Sequence, residues 1–136
     1  MRVLKRTEMK RLYETLPPTK CQVMFLLAGV EKPAKVGSIF RIAESINAKV
    51  LLCGQTPTPP SPEIEMTSMG QENRVDWKHF SQTQEAIKYA KDEGYTVIAV
   101  EICQKAKPYQ DFNYPEKVCF VLGHENSGIH QEILSI

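Results

Sequence analysis

Unbroken apolar runs that alternate with helix-like segments constrain the fold of this chain more than any other feature. Four runs are apolar at nearly every position: Gln22–Ala28, Lys49–Cys53, 95–101 and 117–122. Such runs are typical of strands that are buried on both faces of a sheet. The alternation with helices therefore predicts an α/β fold, a Rossmann-like parallel sheet with helices on both faces. Trp77–Phe80 is a candidate for a further short strand.

Two helices are predicted between these strands. Residues 36–46 and 83–93 carry apolar side chains at the spacing of one helix face. Thr83 is a candidate N-cap of the second helix, and Gly94 is its candidate C-cap. Residues 55–73 are rich in proline and predict a loop whose first half is irregular.

The first 20 residues are polar and basic, and we predict that they extend a domain formed by residues 21–136. Pro17-Pro18 ends a helix-like stretch within them. Four basic residues lie in that stretch: Lys5, Arg6, Lys10 and Arg11. The stretch is either a solvated surface helix or a contact for RNA phosphates.

Composition excludes several classes of protein. The length of 136 residues suits one domain, and the net charge of +1 gives no global reason to bind nucleic acid, so such binding needs a local patch. No apolar run reaches the roughly 18 residues that span a membrane, and the N-terminus does not resemble a signal peptide. We therefore expect a protein with no membrane partner that is cytoplasmic, or that lies in an organelle whose targeting segment is missing from this sequence. The four cysteines form no C-x-x-C pair, which predicts buried thiols and no metal site.

Ligands of parallel sheets bind at the carboxyl ends of the strands. This rule places residues 29–37, 101–107 and 123–128 on the functional edge. Gly123 and Gly128 bracket the third segment, which we expect to offer unpaired backbone N–H groups to a ligand. The alternative is a plain strand-to-helix connection. Neither a G-x-G-x-x-G fingerprint nor a P-loop is present.

Two charged side chains on this edge could carry chemistry. Arg41, inside the helix after the first strand, offers a planar charged fork to a phosphate or a hydroxyl oxygen, or forms only a surface salt bridge. Glu125 could accept a hydrogen bond from a ligand hydroxyl or orient Arg41. We expect His124 to be a turn residue. Three aromatic residues of the loop 108–115 could stack on bases or pack against the sheet: Tyr109, Phe112 and Tyr114.

Two motifs on this edge together resemble those of a known family. KPAKVGSIFRIAE at residues 32–44 is similar to the first motif, and FVLGHENSGI at residues 120–129 is similar to the second, of the SpoU/TrmH RNA ribose 2′-O-methyltransferases. These enzymes belong to the SPOUT class, whose α/β fold contains a trefoil knot. TSMG at residues 67–70 also resembles the family, and the likeness covers roughly residues 21–136.

The resemblance implies a reaction and its partners. The methyl donor is S-adenosylmethionine, the acceptor is a ribose 2′-hydroxyl of tRNA or rRNA, and the enzyme is a homodimer with the site near the subunit interface. Arg41 matches the arginine that acts on the target hydroxyl, and Glu125 matches the acid that supports it. Because a guanidinium stays protonated, we assign Arg41 to orienting the oxygen or binding a neighbouring phosphate rather than to removing a proton.

The resemblance also implies the cofactor residues. Leu122, Gly123 and Gly128 match positions around the cofactor, and Ile102 falls on the adenine side. Lys35 stands where the family usually has an asparagine and, with Arg41, is a candidate RNA contact.

The third motif of the family is absent after the second, so we expect a C-terminally shortened chain with an incomplete knot. Two other functions follow from the same observations. One is a non-catalytic module that binds RNA or a partner through Lys35, Arg41 and the basic N-terminus. The other is a generic nucleotide-binding domain such as an oxidoreductase half, which the missing glycine fingerprint disfavours.

Overall fold

Five parallel strands form one sheet, as the apolar runs predicted. The computed structural model describes residues 1–17 and 20–136. The strands are β1 (Gln22–Ala28), β2 (Lys49–Cys53), β3 (Trp77–Phe80), β4 (Thr96–Ala99) and β5 (Lys117–Gly123). Their order across the sheet is β3-β2-β1-β5-β4, and every neighbouring pair is parallel. The carboxyl end of the central strand β1 therefore lies beside that of β5. The first motif follows β1, and the second motif begins within β5.

Helices lie on both faces of the sheet. In chain order, the described helices are α1 (Arg6–Thr15), α2 (Pro33–Ser45), α3 (Pro62–Ser68), α4 (Thr83–Asp92) and α5 (Gln131–Leu134), and α2, α3 and α4 are the ones that cover the two faces. α2 and α3 pack over one face, where Phe40 and Ile64 join Leu27 in a buried cluster. α4 packs over the other face, where Ile87 meets Met24. Successive side chains of a strand point to opposite faces, so both clusters draw on the same apolar runs.

The prediction of a loop over residues 55–73, irregular in its first half, was wrong from Pro62 onward. That part contains α3 and a short 3-10 turn at Gln71–Asn73. Pro62 occupies the first turn of α3, where a missing N–H costs nothing, and the Ser61 hydroxyl accepts a hydrogen bond from the Ile64 N–H. Here the proline starts a helix instead of preventing one.

Helix ends also differ from the prediction. α2 begins at Pro33, three residues before the predicted start, because this proline too fits the first helical turn. Thr83 is the first residue of α4 and not its N-cap, which is Gln82. The C-cap of α4 is Glu93, and Gly94 follows it with a φ of +85°.

β4 is shorter and more exposed than predicted. It spans Thr96–Ala99 instead of residues 95–101, and both of its end residues are exposed. The cause is its position at the edge of the described sheet, where it pairs with β5 on one side. Its apolar sequence alone did not distinguish an edge strand from a central one.

The prediction of buried thiols holds for two of the four cysteines. Cys53 and Cys119 are buried, and burial raises the pKa of each thiol to about 12. Cys21 and Cys103 are exposed because they lie outside the strands, so the prediction was wrong for them.

The N-terminal segment contains the predicted helix. α1 buries no side chain, and its C-cap is Leu16. Of the predicted Pro17-Pro18 stop, Pro18 lies outside the described residues. The boundary between an extension of residues 1–20 and a domain of residues 21–136 stays a prediction. In the described part of the chain, no helix is long and apolar enough to cross a membrane.

Candidate functional site

The turn after β5 is closed by its own hydrogen bonds. The His124 N–H donates to the Gly128 carbonyl at 3.1 Å, and the Gly128 N–H donates to the His124 carbonyl at 2.9 Å. Between them, Nδ1 of the His124 ring accepts the N–H groups of Asn126 at 3.0 Å and Ser127 at 3.2 Å. His124 is therefore the turn residue that the sequence predicted.

These bonds contradict the prediction of unpaired N–H groups for His124, Asn126, Ser127 and Gly128. Just after the turn, the N–H of Ile129 donates to the Glu101 carboxylate at 2.9 Å. A ring nitrogen and a carboxylate from the protein thus occupy the donors that a ligand would have used. Sequence spacing could not reveal this, because Glu101 belongs to a different loop.

Neither glycine of the turn has free space for a side chain beside it. A Cβ on Gly123 would overlap the backbone of Gly128. Gly128 has a φ of +66°, and a Cβ on it would overlap the carboxylate of Glu101. The glycines therefore permit close contact between protein segments, whatever they also permit to a ligand.

Glu125 connects the second motif to the first. Its side chain is only 6% exposed. The carboxylate accepts the N–H groups of Glu31 at 3.2 Å and Lys32 at 3.1 Å, just before α2 begins. The Lys35 ammonium lies 3.8 Å away. Burial acts to raise the pKa of Glu125, but its own N–H, those of Glu31 and Lys32, and the Lys35 charge outweigh this and lower the pKa to about 2.

A second link joins the same two segments in the opposite direction. Nε2 of His124 lies 3.2 Å from the Glu31 carboxylate. Because Nδ1 accepts hydrogen bonds, the proton of a neutral ring is on Nε2, which donates to Glu31. The start of α2 and the turn after β5 are thus crosslinked twice. Glu125 of the turn accepts N–H groups from Glu31 and Lys32, and Glu31 accepts a hydrogen bond from His124 of the turn.

A cavity of about 250 Å³ opens beside these links. It contains four predicted site residues, namely Lys35, Leu122, Gly123 and Glu125. The remaining lining comes from β1, the segment after it and α2: Leu27, Val30, Ser38 and Ile39. Apolar walls with a few charged groups are typical of small-molecule sites, but most such sites measure roughly 300–1,000 Å³. The cavity suits one part of a larger ligand.

Arg41 lies outside this cavity. It is exposed on α2, about 120° around the helix axis from Lys35 at 3.6 residues per turn. Among the described residues of this one chain, no hydrogen bond or ion pair joins Arg41 to Glu125. The roles given to both residues from the sequence stay predictions.

Ile102 is 98% exposed at the start of the loop after β4. The Glu101 carboxylate accepts its N–H at 2.9 Å and, with the other oxygen, that of Ile129. These two bonds lower the pKa of Glu101. The sequence predicted residues 101–107 at the functional edge, but it did not predict the role of Glu101. An acidic side chain directly beyond β4 was the available signal.

The aromatic loop divides between the two alternatives. Tyr114 packs on Phe120 of β5, with 5.8 Å between ring centroids, and Phe112 packs on Tyr114 at 5.3 Å. Tyr109 remains 81% exposed. Two of the three rings therefore cover the sheet, and the third faces solvent.

A larger cavity, of about 330 Å³, lies on the other side of the turn, towards the amino end of α4. His124 and Ser127 contribute to it, but none of the predicted site residues does. Within the residues that the structure describes, no three His, Cys, Asp or Glu side chains are grouped as metal ligands would be.

The fold is that of an α/β domain built on a parallel sheet. Its candidate ligand site lies at the carboxyl edge of that sheet, where the loops are crosslinked and a mainly apolar cavity opens. The sequence model of the SpoU rRNA Methylase family matches residues 22–136. The chain belongs to this family, which confirms the resemblance drawn from the two motifs.

Similarity to individual proteins agrees with this membership. The tRNA (guanosine(18)-2′-O)-methyltransferase of Thermus thermophilus is 24% identical over 136 residues, which cover 100% of this chain and 70% of the relative. The mouse tRNA (guanosine(18)-2′-O)-methyltransferase TARBP1 is 28% identical over 107 residues, which cover 77% of this chain and 7% of the relative.

The fold agrees with solved structures. The AdoMet-bound rRNA methyltransferase of Sinorhizobium meliloti matches with a TM-score of 0.77 at 23% identity. The match covers 88% of this chain and 46% of that one, so the present chain spans less than half of the solved protein.

Proposed function

We propose that this chain carries a site for transfer of a methyl group from S-adenosylmethionine to a ribose 2′-hydroxyl of tRNA or rRNA. One observation carries the proposal. The acid of the second motif, Glu125, binds the backbone at the start of the first motif and so brings the two motifs to one cavity. Membership of the SpoU rRNA Methylase family and the tRNA methyltransferases among the relatives support it.

The residues near the cavity fit the proposed methyl donor. Leu122 provides an apolar wall at the end of β5, and Gly123 brings backbone close to the cavity. The exposed Ile102 side chain offers a further apolar surface for an adenine ring, and Gly128 shapes the turn between them. When bound, S-adenosylmethionine supplies a methyl group that its sulfonium has already activated.

The charged residues have the task of placing the RNA. In this proposal Arg41 orients the 2′-oxygen or binds an adjacent phosphate, because its guanidinium does not give up a proton. Lys35 contacts a phosphate from the rim of the cavity. With a pKa of about 2, Glu125 is ionised at neutral pH, so it acts as an anchor and a negative charge and not as a proton donor.

The proposal also includes the oligomeric state and the location of the protein. Ile42 on α2 and Ile46, which caps the end of α2, are about half exposed and offer apolar surface to a second copy, which supports a homodimer. The homodimer, the trefoil knot and a cytoplasmic location, all stated from the sequence, stay predictions.

Calorimetry and a methyl-transfer assay test the proposal. We expect the purified protein to release heat on binding S-adenosylmethionine and to transfer labelled methyl groups to tRNA or rRNA. Arg41→Ala should lower kcat about 100-fold, since it removes a charged group near the reacting oxygen. Arg74→Ala is the matched control, because Arg74 is also exposed but lies 4.0 Å from Glu44, away from the cavity. Absence of cofactor binding by the unmodified protein would refute the proposal.

A non-catalytic RNA-binding module is the second candidate. The ammonium of Lys35, which stands at the cavity in place of the family's usual amide, favours it. RNA binding that weakens in Lys35→Ala and Arg41→Ala, with no methyl incorporation by the unmodified protein, would support this alternative.

A further inference from the structure

Glu101 links two loops that follow different strands. It is the second residue beyond β4, and its carboxylate spans the gap to the turn after β5. One oxygen accepts the Ile102 N–H at 2.9 Å, and the other accepts the Ile129 N–H at 2.9 Å. A carboxylate that accepts one N–H on each oxygen fixes both backbone segments relative to one another.

The glycine on the opposite side fits this link. Gly128 approaches so closely that a Cβ on it would overlap the Glu101 carboxylate. The turn thus needs glycine at position 128 for two reasons, the positive φ of +66° and the space that Glu101 occupies. The Glu101 carboxylate thus occupies the space that a side chain at position 128 would need.

We propose that Glu101 is a positioning residue of the cofactor site, which holds Ile102 and the turn 123–128 in the geometry that binds S-adenosylmethionine. The inference rests on the proposed function. It assigns to Glu101 no contact with the cofactor. Its effect passes through the backbone of Ile102 and Ile129, which carry the two sides of the site.

The position of Glu101 separates this role from a role in folding. Its bonds lie at the carboxyl edge of the sheet, and the loop that begins with Ile102 is exposed. Loss of the link should therefore loosen the edge and leave the two buried clusters intact.

Binding and kinetics of Glu101→Ala and Glu101→Gln test the inference in the purified protein. Glu101→Ala should weaken S-adenosylmethionine binding about tenfold and raise its KM to a similar extent, as expected for loss of hydrogen bonds to a charged group. The kcat at saturating cofactor should stay within about twofold, because the reacting groups are unchanged. Glu101→Gln should have an intermediate effect, since the amide oxygen accepts one N–H and the amide nitrogen accepts none.

Hydrogen exchange gives a readout that needs no cofactor. The amides of Ile102 and Ile129 should exchange faster in Glu101→Ala, whereas the amides of β1 should not. Glu116→Gln is the matched control, because it removes an exposed carboxylate just before the opposite end of β5.

Glu101→Ala and Gly128→Ala should also be coupled. In the unmodified background the new Cβ meets both the backbone strain and the carboxylate, and in the Glu101→Ala background only the strain remains. The double variant should therefore bind the cofactor more tightly than the sum of the two single effects predicts.

The outcomes separate this inference from the proposed function. An unmodified protein that binds no S-adenosylmethionine refutes the proposed function, and the inference with it. An unmodified protein that binds, together with a Glu101→Ala variant that binds equally well, overturns the inference alone. So does a Glu101→Ala variant whose binding loss is matched by general unfolding or by a loss in Glu116→Gln.

Discussion

Two glycine-dependent junctions of this domain are built in opposite ways. Where α2 crosses α3, Gly37 is buried, and the Thr67 hydroxyl, the Ile64 carbonyl and the Ser68 N–H fill the place of a Cβ. The Thr67 hydroxyl also donates to the Ala34 carbonyl at 2.8 Å. The atoms that contact Gly37 are uncharged, and their close fit is part of the packed core.

The junction at the turn after β5 depends on ionised carboxylates. Glu101 and Glu125 bind backbone N–H groups of other segments from either side of Gly123 and Gly128. These bonds lie at the edge of the sheet. Glycine therefore serves close packing at one junction and an adjustable, charge-dependent arrangement at the other. Substitutions should therefore unfold the domain at the first and alter the site at the second.

Gly37→Ala should have the largest effect on stability. The new methyl group would overlap backbone and side-chain atoms of α3, which cannot move away without separating the two helices. We expect a loss of about 3 kcal/mol in the free energy of unfolding, measured by urea denaturation. Ser45→Ala, on the exposed end of α2, is the matched control and should change the free energy by less than about 0.5 kcal/mol. Equal stability of the two variants would contradict the packing argument.

Glu125→Gln should come second and should depend on pH. At pH 7 we expect a loss of about 2 kcal/mol in the free energy of unfolding, because the nearly buried side chain of residue 125 can then accept only one of the two N–H groups. The pKa of Glu125 falls from 4.5 to about 2 on folding, so its contribution is complete above pH 4.5 and is lost as the pH falls towards 2. The difference between the two proteins should shrink across that range.

Denaturation at pH 7 and at pH 3 checks this expectation. Glu132→Gln, which removes an exposed carboxylate from α5, should match the unmodified protein at both values. A difference between the unmodified protein and Glu125→Gln that stays constant from pH 7 to pH 3 would show that the carboxylate is not the stabilising group.

The sequence predicted the fold well because apolar runs report burial directly. Strands β1 and β2 were predicted with their observed bounds, since each ends where its apolar run does. The candidate strand Trp77–Phe80 also has its predicted bounds, although its two central residues are polar. α3 was missed because Pro62 was read as a barrier, although its place in the first helical turn is favourable. The exposure of β4 depends on strand order, which no local pattern encodes.

The site was only partly predictable for a related reason. The motifs placed Lys35, Leu122, Gly123 and Glu125 together, and one cavity contains all four. The links through Glu101 and through the Nδ1 atom of His124 were not predicted. Each joins a side chain to a backbone N–H group, and that group is within reach only once the turn has closed. Tertiary hydrogen bonds to backbone leave no periodic signal in a sequence.

Substitution of Lys35 should have the smallest effect on stability. It tests whether the junction that contains Glu125 also contacts RNA. Its side chain is 54% exposed and its ammonium lies 3.8 Å from Glu125, so Lys35→Gln should change the free energy of unfolding by less than about 0.5 kcal/mol. If Lys35 binds an RNA phosphate, the same change should weaken RNA binding severalfold and reduce the slope of log affinity against log salt by about 0.7–0.9.

A salt titration of RNA binding measures both quantities, and Lys88→Gln is the matched control. Lys88 also forms an ion pair, at 2.6 Å from Asp92, but it lies on α4 on the opposite face of the sheet. Equal loss of RNA affinity in both variants would show that Lys35 acts only through net charge. A loss confined to Lys35→Gln at unchanged stability would place a phosphate contact at the carboxylate-linked junction and not at the packed one.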